Sequence, residues 1–265
     1  MAETPKVYNQ EIDLNNLDLE RSYTLKEFEY INSWLKNYTL EIDGHPVNLF
    51  ELDKNGKLVP MLQTPCHREQ IVAEIARQLC NWNIQTQQGG GVTTSQGGFN
   101  FVIDHQSAIR APDIAFISQN TFLRLTDEQA WTFQGAPFTP TFLVEVADIG
   151  EDTENSKFKE VDERFKEELI TRSTMVQLGW LIDPQHKQIY IYRRGRRRSN
   201  PGWGDISGEN VLPDFVLDMS LIDRIIDPLP PTPQGPQRLR RCPDCNNTFN
   251  NNYELIKHLE KFHFN

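Results

Sequence analysis

Hydrophobic residues recur along this chain with two periods, and the switches between them divide it into elements. Phe28, Ile31 and Leu35 share one helical face behind Thr24, a residue suited to capping a helix start. Residues 48–52 and 57–61, joined by the turn Asp53-Lys54-Asn55-Gly56, form the pattern of a β-hairpin. Over residues 67–82, Ile71, Ile75, Leu79 and Trp82 make the stripe of a helix that packs on a sheet. Strand patterns follow at 99–103, from which a polar turn leads to Arg110, and then at 114–117 and 142–146. A short helix is expected at 126–131 in the connection between the last two. Phe158, Val161, Phe165 and Leu169 return to helical spacing. Two β-branched and aromatic runs, 176–182 and 188–192, meet at Asp183-Pro184, and a short helix at 220–226 closes the pattern.

Two acids break this pattern. Glu145 interrupts Phe142, Leu143, Val144 and Val146, an apolar run of the kind buried on both faces of a sheet. An ionised carboxylate there is costly unless it is paired or binds a metal. Asp113 follows Pro112, which forces an extended approach into the strand at 114–117. Two acids on adjacent strands repel, and a hard divalent cation such as magnesium or manganese relieves that repulsion. A lysine at the same place would complete the groups for metal-assisted phosphodiester hydrolysis. The plain alternative is a buried Glu with a basic partner and a solvent-facing Asp.

Arg110-Ala111-Pro112-Asp113, Leu143-Val144-Glu145-Val146 and Leu178-Gly179-Trp180-Leu181-Ile182-Asp183-Pro184 resemble the bacterial Uma-two family of restriction endonucleases, in the PD-(D/E)XK nuclease superfamily. The likeness spans residues 51–223. It implies an α/β restriction-endonuclease-like fold, a mixed sheet flanked by helices, with a divalent metal and DNA cleavage. By this resemblance Asp113 and Glu145 are the metal-binding acids. Two residues after the Glu, where the superfamily carries its lysine, stands Ala147. The resemblance is to members whose lysine sits on the following helix, where Lys157, Lys159 and Lys166 are the candidates. Lys159 has the family-like distance from Glu145. Lys157 lies on one flank of the apolar stripe and Lys159 and Lys166 on the other, so only one flank faces the site. Glu51 matches a family Glu before a Gly turn and is a candidate accessory acid, or else a solvated strand residue. His67 matches a family His and is a candidate phosphate contact, or else a helix cap.

Composition narrows the classes. In 265 residues, 38% hydrophobic content supports one real core and one or two domains. A formal charge of -10 argues against a basic coat protein, so DNA binding requires a local patch. Arg193, Arg194, Arg196, Arg197 and Arg198 form the densest one, which makes Arg194, Arg196, Arg197 and Arg198 candidate phosphate contacts or a solvated hairpin tip. Gly89-Gly90-Gly91 lacks a P-loop lysine and reads as a turn. No apolar run approaches the roughly 18 residues of a membrane span, and no signal-peptide core opens the chain, so a cytoplasmic location is expected. Cys66 and Cys80 are expected to be reduced thiols.

The organisation expected is a polar leader (1–20), a nuclease-like domain (21–227), a proline-rich spacer (228–240) and a small C-terminal unit (241–265). Cys242, Cys245, His258 and His263 have C-x2-C-x12-H-x4-H spacing, which suits tetrahedral zinc in a unit too small to fold on apolar contacts alone. With Phe249 and Leu255 the segment resembles a ββα C2H2 zinc finger, which puts Asn251, Glu254 and Lys257 at the base-facing positions. Such fingers also dock proteins. Three functions fit the chain: a metal-dependent DNA endonuclease acting as a homodimer, an inactive nuclease core that binds DNA, and an adaptor that binds protein through the finger.

Overall fold

The computed structural model describes residues 12–14, 16–103, 105–150, 157–228, 240–245, 247–249 and 252–263. Most of the leader and of the proline-rich spacer, and Asn251, lie outside the described residues. The chain divides into two units, Met1–Ile226 and Asp227–Asn265. The first unit runs α1 (Leu25–Leu35), β1 (Leu40–Ile42), β2 (His45–Leu52), β3 (Leu58–Leu62), α2 (Cys66–Gln85), β4 (Gly91–Thr94), β5 (Phe99–Ile103), β6 (Gln106–Arg110) and β7 (Ile114–Ile117). It continues through α3 (Gln119–Phe122), α4 (Asp127–Trp131), β8 (Phe142–Val146), α5 (Lys157–Arg164), a π turn (Phe165–Leu169), β9 (Leu178–Asp183), β10 (Gln188–Arg193), β11 (Ile206–Ser207), β12 (Val216–Leu217) and α6 (Met219–Ile226). In the second unit β13 (Arg240–Arg241) and β14 (Thr248–Phe249) pair antiparallel ahead of α7 (Asn252–Phe262).

Two five-stranded sheets carry the first unit. In the first, β1, β2, β6 and β5 pair in that order and β3 adds to β2. Thr24 starts α1 through a capping box with Glu27. Phe28, Ile31 and Leu35 of that helix then bury against Val47, Phe50, Leu58 and Ile109. The polar turn expected before Arg110 is instead a paired strand, with Phe99 opposite Arg110 and Phe101 opposite Ala108. Its polar residues were misleading because only Ala108, Ile109 and Arg110 of β6 are buried.

The second sheet has the order β10-β9-β8-β7-β4, with β8 and β9 parallel and every other pair antiparallel. The period of two sorts its side chains cleanly. Ile114, Phe116, Phe142, Val144, Trp180 and Ile182 face α2 and α6, while Ala115, Leu143, Leu181, Tyr190 and Tyr192 face Phe158, Val161, Phe165 and Leu169. Position 179 lies on the latter face. A Cβ there would sit 2.8 Å from Phe165 Cε1, so only glycine admits the ring, which stacks on Tyr192 at 4.2 Å. After Arg164 the helix loosens into its π turn, which buries Phe165, Glu168 and Leu169 together.

Candidate active site

Ile114 pairs with Val144 and Ala115 with Leu143, so the same register carried one residue further sets Asp113 opposite Glu145. Both belong to the sheet face that packs toward α5. Asp113 is buried; its Oδ2 accepts from Val146 N at 2.7 Å and lies 3.3 Å from Arg68 Nη2, and its Oδ1 meets Ser95 Oγ at 3.5 Å. Arg164 Nη2 stands 3.3 Å from Glu145 Oε2. Each strand acid therefore carries one guanidinium, Arg68 from the first turn of α2 and Arg164 from the last residue of α5.

A second layer locks this pair in place. Glu51 Oε1 accepts from Ala111 N at 2.7 Å and its Oε2 from Arg110 Nη1 at 3.1 Å. Arg110 gives Nε and Nη2 to Glu168 Oε2 at 2.9 and 2.7 Å, and all three side chains are buried. Burial raises the Glu145 carboxyl to about 7, against the pull of Arg164 and with added repulsion from Asp113 and Glu51. Arg164 is held above its ordinary value chiefly by Glu145, so it stays charged.

The structure decides which flank of α5 faces Glu145. Lys157 stands seven residues before Arg164, two helical turns away on the same flank. Lys159, five residues from Arg164, lies around the helix; its ion partner is Glu163 at 4.0 Å, and its side chain is 56% exposed. Lys166 pairs with Asp162. Among the described ion pairs, the cation that reaches Glu145 is Arg164 and none of the three lysines. His67 is exposed, and its neighbour Arg68 is the residue of that turn that touches Asp113. Sequence reasoning missed Arg68, Arg110, Arg164 and Glu168, because it sought a lysine beside the acids. The usable signal was Arg164 at seven-residue spacing from Lys157, beside an unpaired strand Glu.

Glu51, Asp113 and Glu145 do not close into a three-ligand cluster. Among the described residues, such groups, with ligand atoms within 4.8 Å of one another, are Cys242, Cys245, His258 and His263, and Asp148, Asp183 and His186. Glu51 is committed to Arg110 and Ala111. Asp113 Oδ1 has only the long Ser95 contact, and Glu145 is held through Oε2. Two partly free carboxylates suit magnesium, which takes one or two protein acids and keeps waters. In the other acidic group Asp183 is fully buried and already accepts from Ile149 N, Gln185 N and His186 N, so it ties the chain beyond β8 to the β9–β10 turn.

Several grooves indent the unit's surface. One, of about 650 Å³, is lined by Glu51, Ala111, Asn48, Gln96 and Trp131. Another, of about 510 Å³, is bounded by Lys166, Tyr192, Arg193, Arg196 and Arg197. Within the arginine cluster the members differ. Arg194 donates to the carbonyls of Thr174 and Val176. Arg198 meets Asp162 at 2.9 Å and covers the Phe158 and Tyr190 rings, and Arg193 pairs with Glu209. Arg196 and Arg197 are exposed.

In the second unit Cys245 Sγ lies 3.0 Å from His258 Nε2, which lies 3.2 Å from His263 Nε2. Cys242 is buried, and Phe249 packs on the His258 ring at 4.8 Å. Glu254 and Lys257 are exposed on α7.

Residues 38–220 match the family model Uma2, described as "Putative restriction endonuclease". No curated protein matches the chain. Among solved structures, an Anabaena variabilis protein described as a "putative nuclease belonging to DUF820" is similar with a TM-score of 0.53 at 14% identity. The match covers 77% of this chain and 99% of that one, a likeness of fold. No helix among the described residues is long and apolar enough to cross a membrane.

Proposed function

The chain belongs to the Uma2 family, and on that premise we propose that it is a metal-dependent DNA endonuclease. One observation carries the reading: Asp113 and Glu145 stand opposite each other in register on one sheet face, with Arg164 from the following helix beside Glu145. Asp113 and Glu145 would hold magnesium or manganese. Bound there, such an ion would supply Lewis-acid charge and activate a water. Glu51 acts by position, since its two oxygens fix Arg110 and Ala111, which lead through Pro112 to Asp113. The flank of α5 that carries Lys157 and Arg164 supplies positive charge toward the reacting phosphate. His67, exposed beside Arg68, serves a flanking phosphate. Lys159 belongs to the opposite flank and is assigned no step.

Arg196 and Arg197, together with Arg194 and Arg198 where their outer atoms remain accessible, are assigned to the DNA backbone. A homodimer would cut both strands. We assign Cys242, Cys245, His258 and His263 to Zn2+ in a C2H2 finger; the support is their spacing, the convergence of their ligand atoms and the β13-β14-α7 order. Glu254 and Lys257, with Asn251, would meet DNA bases or a protein partner.

The test is cleavage of supercoiled plasmid with magnesium or manganese, comparing wild type with Glu145→Gln and Asp113→Asn. Nicking or linearisation by the wild type, reduced at least about a hundredfold in both variants, is expected for loss of a metal-binding acid. Equal cleavage by wild type and variants would remove the catalytic assignment. Salt-dependent DNA binding without any hydrolysis would instead select the inactive DNA-binding reading, for which Ala147 at the superfamily lysine position is the motive.

A further inference from the structure

Two hydrogen-bond donors at this site are buried without an acceptor: Nε of Arg68 and Nε of Arg164. An N–H stripped of water and left unpaired is costly and calls for an explanation. Nε and Nη2 lie on one edge of a guanidinium, the edge that grips a carboxylate or a phosphate with two parallel bonds. Arg110 shows that edge fully used, with both nitrogens on Glu168. In Arg68 and Arg164 it is half used: Nη2 meets Asp113 or Glu145, and Nε meets nothing. Both half-used edges border the same pair of strand acids.

Charge points the same way. Glu51, Asp113, Glu145, Glu168 and the neighbouring Glu167, when ionised, face four cations, Arg68, Arg110, Arg164 and Lys54. A divalent ion on the strand acids turns that excess of one negative charge into an excess of one positive. A single phosphodiester group then restores balance.

We propose that Arg68 and Arg164 form a phosphodiester clamp. They pair with Asp113 and Glu145, and they turn their Nε–Nη2 edges onto the phosphate oxygens of a nucleic-acid backbone when a divalent ion takes their place on the acids. The clamp rests on the nuclease reading for its ligand but is tested apart from it. In the alternative, each arginine is only a structural partner of its acid.

The test uses the full-length chain. Binding of a short DNA duplex is followed with calcium, which occupies oxygen sites, and affinity is read against salt concentration. Arg68→Gln and Arg164→Gln are each expected to weaken binding about tenfold and to lower the log–log salt slope by about 0.9. Calorimetric titration with Mn2+ in the absence of DNA is expected to show tighter ion binding by both variants, because a competing counter-ion has gone. Arg68→Lys and Arg164→Lys keep a positive charge beside the acids and remove the two-nitrogen edge. They are expected to keep the wild-type melting temperature and still lose DNA affinity.

Unchanged DNA affinity in all four variants overturns the clamp. So does a wild type whose DNA binding calcium does not strengthen, and so does joint loss of Mn2+ binding and melting temperature in the Gln variants. If the wild type leaves plasmid intact with magnesium or manganese while arginine-dependent binding persists, the clamp stands and the nuclease reading falls. If the wild type cleaves plasmid and its DNA binding does not depend on either arginine, the clamp falls and the nuclease reading stands.

Discussion

The strand acids and the C-terminal Cys/His group both bring together side chains of a metal-binding type, built on opposite physical terms. Asp113 and Glu145 sit at the end of a five-stranded sheet whose two faces are packed by α2 and α6 on one side and α5 on the other. That core does not need them, so arginines neutralise the acids while the sheet holds their register. Among its described residues the Cys/His unit has two strands of two residues each and a single helix, with Ile256 and Phe262 exposed. Of its Cys/His group, Cys242 is buried, His258 and His263 are half-buried and Cys245 is exposed. A large core can hold acids in register without help from a metal, whereas a unit with so little apolar burial has few contacts of its own to fold on.

Metal removal should separate the two most strongly. Chelation, or Cys242→Ser, is expected to abolish the helix signal of residues 252–262, a loss on the order of 10 kcal/mol in binding-linked folding. The melting of the first unit should not move. Dispersed amide resonances from the last segment after chelation would erase the contrast.

Arg110→Ala tests the opposite side of the comparison. It removes the guanidinium shared by the buried Glu51 and Glu168, leaving Glu51 only the Ala111 N–H and Glu168 only Lys54 at 4.0 Å, which costs about 3 kcal/mol. Urea denaturation reads the change in midpoint. A shift near zero would mean that the second layer does not fix the strand acids. A smaller loss, about 1–3 kcal/mol, is expected for Gly179→Ala, because the new methyl overlaps Phe165. That variant perturbs the packing of α5 and leaves the acids themselves intact.

The smallest effect is a slope with pH. Burial lifts Glu145 from its ordinary value of 4.5 to about 7. Between those two values the folded chain keeps a proton that the unfolded chain releases, so this group's contribution to stability is present below 4.5 and declines as pH rises through 7. In metal-free buffer Glu145→Gln should flatten the decline in melting temperature from acid to neutral pH. A wild-type curve as flat as the variant's would show that Arg164 outweighs burial.

Particular residues show how far the chain could be read in advance. Thr24 and Glu27 announce the capping box of α1, and Ile71, Ile75, Leu79 and Trp82 announce the buried face of α2. β6 was hidden, since Gln106 and Ser107 look like a turn until β5 pairs with them. The arginine cluster was legible as charge only. Its use was not: Arg194 caps loop carbonyls and Arg198 covers two aromatic rings, because packing partners come from distant parts of the chain.

By itself the sequence determined the elements with regular periods, each strand acid within its own apolar run and the Cys/His spacing, because each is a local pattern or a fixed spacing along the chain. Tertiary structure alone decided which cations serve those acids. The rotation of α5 is set by Phe158, Val161, Phe165 and Leu169 seating on β9 and β10, with Gly179 making room, and that rotation turns Arg164 and not Lys159 toward Glu145. Arg68 reaches Asp113 from a helix start 45 residues earlier in the chain. Long-range contacts of that kind follow from packing, and no local pattern encodes them.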